Sequence, residues 1–271
     1  KKFYHGYKRM TLASTRRREA RAVRKLQKSS LFDEDFYRDR YRDAQKSSLD
    51  PISHYCRWGD AAGYLPHPLF DPLHYSKQFP DIPQSGGRLL LHYLKHGRQK
   101  AISPHPLFDT EFYLDQCADL ILPDEVPLLH YLREGEGLGY QPHPLFDPFY
   151  YERENPECTG LPCKLTHYVT RGAAQKLAPS WIFDPTWYES QLPPDRASGA
   201  VALTHYQEQG DQKGLSPHPL FDPQHYSLQY PTIPQKEAAR VRHYLARGHI
   251  ELSSPHPRFD ASWYQQTYAE E

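Results

Sequence analysis

Methionine is almost missing from this chain, with one in 271 residues. Cysteine is scarce at four, and its irregular placement argues against a disulfide-stapled fold and leans towards a reducing compartment. Cys158 and Cys163 are close enough in sequence to pair locally under oxidising conditions, whereas Cys56 and Cys117 have no evident partner. No apolar run reaches the roughly 18 residues that would suggest a membrane-spanning helix. Stretches alternating with period two are lacking, which argues against a sheet. The sequence also has no Gly-rich phosphate loop, Gly-x-Ser-x-Gly elbow, His-Glu-x-x-His or Cys-x2-Cys pattern. No residue is therefore nominated as catalytic, cofactor-binding or metal-ligating.

What the chain does have is a period. Phe-Asp recurs at Phe32-Asp33, Phe70-Asp71, Phe108-Asp109, Phe146-Asp147, Phe183-Asp184, Phe221-Asp222 and Phe259-Asp260, in steps of 38 residues with a single step of 37. A Tyr follows each Asp four residues on, from Tyr37 to Tyr264. His-Tyr pairs begin at His54, His92, His130, His167, His205 and His243, each with a Gly five residues after the His. Six full units (29–66, 67–104, 105–142, 143–179, 180–217 and 218–255) and a truncated seventh (256–271) result. A fixed period of this size marks a repeat architecture. We expect one elongated, solenoid-like all-α array, with two short helices and long ordered loops per unit, each burying its aromatics against its neighbours.

The landmarks have local reasons. Asp71 before Pro72 is a helix start, with the carboxylate capping free N–H groups and proline suiting the first helical position. Phe70 and Tyr75 then occupy the two ends of a hydrophobic staple. Pro80, Pro156 and Pro231 limit the first helix to about two turns. The second helix runs through segments such as Leu90 to Leu94, and we expect it to end at the fixed glycine as a left-handed C-terminal residue. The Pro-His-Pro segment should be an extended connector.

Of the 16 histidines, His92 and its equivalents are expected to be hydrogen-bonded core residues linking the second helix to a neighbouring loop. His67, His105, His143, His218 and His256 lie on the connectors and are the better candidates for the surface. Trp58, Trp181, Trp187 and Trp263 offer aromatic faces for stacking on a glycan, though they do not recur at one repeat position.

Zero net charge hides an asymmetry. Residues 1–28 hold 11 Lys or Arg against a single Glu19, leaving 22 basic and 32 acidic residues in the remainder. This leader looks helical and carries a thin apolar stripe of Leu12, Ala20, Val23 and Leu26. It reads first as a linker helix or one packing on the acidic array. Anionic membrane surfaces come next, through Arg16, Arg17, Arg18, Arg21, Arg24 and Lys25. Nucleic acid is the third choice.

The runs Pro66 to Tyr75, Pro142 to Tyr151 and Pro217 to Tyr226, followed by elements such as Pro127 to Gly135, resemble repeats that flank bacterial glycosyltransferase domains in proteins of surface-polysaccharide synthesis. The resemblance covers residues 29–271. It implies a non-catalytic scaffold or interaction module, partnered by a protein or an attached glycosyltransferase or sulfotransferase domain, at the cytoplasmic face of a membrane. Direct glycan binding is the rival expectation, followed by polyanion binding through the leader; an enzyme site formed between repeats ranks last. The chain reads as a segment of a longer polypeptide.

Overall fold

The computed structural model describes residues 17–98, 102–193, 201–235, 238–248 and 250–268. The fold is all-α: among these residues there is no β-strand, only isolated bridges such as His67–Phe70. The chain divides into two compact units, 1–142 and 143–271, with the break falling between two repeats.

Within each unit the same helix pair recurs. First helices are short, as in Pro72–Gln78, Thr110–Cys117, Pro148–Glu154 and Pro223–Gln229. Each begins at the repeated Asp, whose carboxylate accepts one or two backbone N–H groups of the first turn, such as those of Leu73 and His74 on Asp71. The staple is present too: Phe70 and Tyr75 have ring centroids 5.3 Å apart, and Phe108 and Tyr113 5.2 Å. The Tyr of the His-Tyr pair completes an aromatic trio, with Tyr93 5.8 Å from Phe70 and nearly perpendicular to Tyr75 at 5.9 Å. Among the described residues eleven tyrosines are fully buried in this way, at about 2–3 kcal/mol of transfer free energy each. They supply the bulk that scarce aliphatics cannot.

The recurring His meets the recurring Tyr. Tyr37 Oη lies 2.9 Å from His54 Nδ1, and the same contact joins Tyr75–His92, Tyr113–His130, Tyr151–His167, Tyr188–His205 and Tyr226–His243 at 2.6 to 2.9 Å. The partner is therefore the first helix of the same repeat, not a neighbouring loop. In the 37-residue unit the pair is separated by 16 residues instead of 17, and the bond is kept. The missing residue is absorbed by the interhelix loop.

The fixed glycine is not the left-handed terminus expected. In five of the six full units the second helix starts as one α-turn, such as Pro127–His130, and continues as a π-turn, such as Tyr131–Gly135. In the remaining unit, Arg88–His96 stays a regular α-helix, and Gly97 is right-handed at φ −55°. Gly59, Gly135, Gly172 and Gly210 are required by proximity: a Cβ there would overlap the hydroxyl of Tyr37, Tyr113, Tyr151 or Tyr188. The left-handed position comes four residues later, at Gly63, Gly139, Lys176, Gly214 and Leu252. There the chain closes a Schellman motif, with Tyr64 N–H donating to the Gly59 carbonyl (2.8 Å) and Gly63 N–H to the Asp60 carbonyl (3.2 Å).

The connector is also not extended. His-Pro-Leu-Phe is a tight turn in which Phe70 N–H donates to the His67 carbonyl at 3.0 Å. The repeat then closes on itself. Asp33 N–H donates to the Pro66 carbonyl (2.9 Å), Asp71 to Pro104, Asp109 to Pro142, Asp147 to Pro179, Asp184 to Pro217 and Asp222 to Pro255.

Neighbouring repeats are tied through polar groups on their second helices. Asp60, fully buried, accepts from Gly87 N–H (2.8 Å) and Arg88 N–H (3.1 Å) and so caps the second helix of the next repeat. Tyr93 Oη accepts from Leu128 N–H (3.3 Å) where Arg98 replaces the acid. In the second unit Asp211 forms a buried ion pair with Arg240 at 2.9 Å.

Gly135→Ala should destabilise the fold by about 1–3 kcal/mol through overpacking. Tyr113→Phe should cost about 1–3 kcal/mol by stranding His130 Nδ1. Because the overlapping atom is the hydroxyl that the second change removes, the double variant should be more stable than the sum of the two costs. Urea denaturation of all four proteins checks this, and strict additivity would refute the close approach as the reason for glycine.

Candidate binding surfaces

The side chains that recur most, and that chemistry would use first, are engaged inside the fold. The repeated Asp residues cap helices, and the His-Tyr imidazoles hold tyrosines. In two units the other ring nitrogen faces a carboxylate: His54 Nε2 is 3.6 Å from Asp43 and His130 Nε2 3.4 Å from Glu134. With Nε2 turned to an acid, Nδ1 accepts from the tyrosine O–H. Burial pushes the pKa of these tyrosines far up, so the hydroxyl keeps its proton.

The connector histidines depart from expectation. His67, His105 and His143 are buried, whereas His218 and His256 are partly exposed. The turn folds each ring beneath its own backbone, so that Leu69 N–H donates to His67 Nδ1, Leu107 to His105, Leu145 to His143, Leu220 to His218 and Arg258 to His256, at 3.0 to 3.1 Å. His143 Nε2 also meets Gln207 and, at 3.1 Å, Arg242 from the two following repeats. All four cysteines are buried, and none is paired in a disulfide. Cys158 Sγ donates to the Asn155 carbonyl at 3.0 Å, and Cys163 caps a helix by accepting from Thr166 N–H at 3.4 Å. No group of three or more His, Cys, Asp or Glu side chains suited to a metal occurs among the described residues. Nor is any helix there long and apolar enough to cross a membrane.

The leader contributes a helix over residues 17–27. Its buried face is Ala22 and Leu26, with Glu19 and Val23 partly covered and Ala20 exposed, so the apolar stripe is rotated from the one expected. Leu12 and Arg16 lie outside the described residues. Docking also reverses the expected polarity. The leader's single acid, Glu19, bridges Arg57 of the first repeat at 2.8 Å. Arg17, Arg18, Arg21, Arg24 and Lys25 all stay exposed. Arg18, Arg21 and Lys25 share one flank and line a cleft of about 470 Å³ together with Arg57, Ser85 and Arg88. Arg24 lies on the opposite flank, beside Ala20 and Val23. Arg88 escaped the sequence reasoning because it occupies no repeated position; Arg57 stands three residues after His54, where the next two repeats have Lys95 and Arg133, a spacing that marks a basic helix end but not a cleft.

The four tryptophans do not form a common surface feature. Trp58 carries the Arg57 guanidinium 5.5 Å above its ring, Trp187 Nε1 donates to Ser216 Oγ at 3.1 Å, and Trp263 lies edge-on to Tyr268. Trp181 lines a cavity of about 260 Å³ with Tyr244, His218, His256, Arg258 and Phe259.

Burial lowers the pKa of His67 and His105 from 6.5 to about 4, outweighing the pull of Asp33 and Asp71 respectively. A base whose folded pKa is depressed takes up its proton more readily when unfolded. The stability it confers is complete above about pH 6.5 and is lost as pH falls towards 4, on the order of 3 kcal/mol per group. Asp60 and Asp211 act in the opposite sense, since burial raises their pKa. His105→Asn, whose amide oxygen can stand where Nδ1 stands, should keep the Leu107 hydrogen bond and reduce the loss of melting temperature between pH 6.5 and pH 4. An unchanged pH profile would show that His105 does not titrate with folding.

Comparison of the chain with protein-family models, with curated proteins and with solved structures returned no match.

Proposed function

We propose that residues 29–271 are a non-catalytic scaffold or interaction module of a protein that assembles bacterial surface glycans. One observation carries the non-catalytic half: the carboxylate, imidazole and phenol groups repeated in every full unit are engaged in caps, turns and the Tyr–His contact. A group held in the same structural bond six times over is not free to move a proton for a substrate. The glycan half rests on the Pro-His-Pro-Leu-Phe-Asp and His-Tyr motifs, which resemble repeats beside glycosyltransferase domains. On this reading the module works at the cytoplasmic face of a membrane, presenting or spacing an enzyme that is attached or recruited.

In the encoding organism, deleting residues 29–271 should change the amount or chain length of surface polysaccharide. The purified segment should show no turnover of sugar nucleotides. Unaltered polysaccharide after deletion would remove the glycan half, and turnover by the purified segment would remove the non-catalytic half.

The Trp181 cavity favours direct glycan binding as a second reading. Because His218 and His256 each accept a backbone N–H at Nδ1, their neutral rings carry the proton on Nε2. That supplies two N–H donors beside the half-exposed Trp181 indole, 6.4 Å from Tyr244. An apolar wall with a few fixed donors suits a sugar ring. Neutral oligosaccharides should bind by calorimetry, with Trp181→Ala losing the signal and Trp187→Ala keeping it. Equal binding by both variants would rule out this cavity.

A further inference from the structure

We propose that the cleft between the leader helix and the first two repeats is a binding site for a phosphate-bearing anion. The inference does not depend on the glycan-assembly reading.

Five cationic side chains from three separate stretches of chain line this one concavity: Arg18, Arg21 and Lys25 from the leader, Arg57 from the first repeat, and Arg88 from the second. Glu19 is the one acid lining it, and Glu19 is already engaged with Arg57. Among the described residues Arg18, Arg21, Lys25 and Arg88 make no ion pair. The carboxylate of Asp60, which is not part of the lining, attracts Arg88 electrostatically and is occupied by hydrogen bonds from Gly87 N–H, Arg88 N–H and the Tyr55 hydroxyl. Gathering like charges is unfavourable unless something of opposite charge completes the set. The docking of the leader does not require that gathering, since it rests on Ala22, Leu26 and the Glu19–Arg57 pair.

The chemistry of the lining narrows the class of ligand. Four of the five cations are arginines, whose planar forks match phosphate oxygens two at a time. The volume of about 470 Å³ is that of a small-molecule site and well above what a lone ion needs. The Ser85 hydroxyl and the Gly86 backbone, at φ +74°, border the same space and let a ligand approach the main chain. A phosphate attached to a larger polar body fits these features, whether it comes from a soluble organic phosphate or from a lipid headgroup.

The arrangement differs from a general attraction of the leader to polyanions. That attraction would use every exposed cation on the helix, Arg17 and Arg24 included. The cleft uses only the flank carrying Arg18, Arg21 and Lys25. The position of Arg24 therefore separates the two ideas.

The test is calorimetric titration of the full chain at low ionic strength with inorganic pyrophosphate, and in parallel sedimentation with vesicles of phosphatidylglycerol and phosphatidylcholine. Arg21→Glu, Arg88→Glu and Arg24→Glu are compared with the parent, each first shown to melt as the parent does. We expect saturable binding to one or both probes, weakened at least about tenfold by Arg21→Glu and by Arg88→Glu and less than about twofold by Arg24→Glu. Binding to pyrophosphate identifies a soluble phosphate as a sufficient ligand. Binding to vesicles alone with the same pattern of variants assigns the phosphate to a headgroup. Saturable binding to neither probe overturns the proposal. So does an equal loss in Arg24→Glu and Arg21→Glu, because binding would then belong to the net charge of the helix.

Discussion

The hydrogen bond between a buried tyrosine and a histidine 16 or 17 residues later is the constraint around which each repeat is arranged. It spans the two helices of a unit that are each too short to persist alone. Once the tyrosine stands at the fourth position of its helix, the Asp cap and the Phe staple fix its direction. The hydroxyl must then reach an imidazole on the second helix, and the backbone of that helix must come close enough to leave no room for a side chain at Gly59, Gly135, Gly172 or Gly210. In those units the widened π-turn follows the same contact, since it begins at the residue after the histidine and runs to the glycine. One polar bond thus selects the residue type at four positions.

Much of this was legible in the sequence, and the boundary is informative. The period, the Asp caps, the Phe–Tyr staple and the all-α character follow from local rules that act within a few residues. The Tyr–His partnership does not, because it is a contact between helices. Its signature was nonetheless present: the two residues keep a nearly constant separation in all six full units, including the short one. The role of the fixed glycine was misjudged because spacing cannot distinguish a glycine needed for a left-handed φ from one needed for close approach. Gly63, Gly139 and Gly214, which do take positive φ, recur in only some units, and Lys176 and Leu252 hold the same conformation without being glycine. The connector histidines were expected at the surface because proline-flanked segments tend to be extended. The turn that replaces the extended connector, and in which His67, His105 and His143 are buried, depends on the imidazole accepting a backbone N–H two residues on, a bond that a propensity scale does not register.

The positions that break the repeat carry the features most suggestive of ligands. Arg88 is peculiar to its unit, and Trp181 stands where most other connectors have the second proline of Pro-His-Pro. Repeated positions answer to folding demands in every copy, so individuality is confined to the surface between them. The leader shows the same division: Ala22, Leu26 and Glu19 attach it, while its cations remain available.

The bond from each Asp N–H to the proline carbonyl at the far end of its own repeat has a consequence for how such a chain can change length. Head and tail of a unit are neighbours in space, so a gene duplication copying one full period would insert a segment whose two ends already sit side by side. The flanking chain would re-enter where it left, and no existing helix pair would need to be prised apart. Loss or gain of whole copies is thereby a mild event, whereas a cut of half a period would separate a tyrosine from its histidine. Copy number can then drift under selection for reach or for binding area, with the fold of each unit held constant.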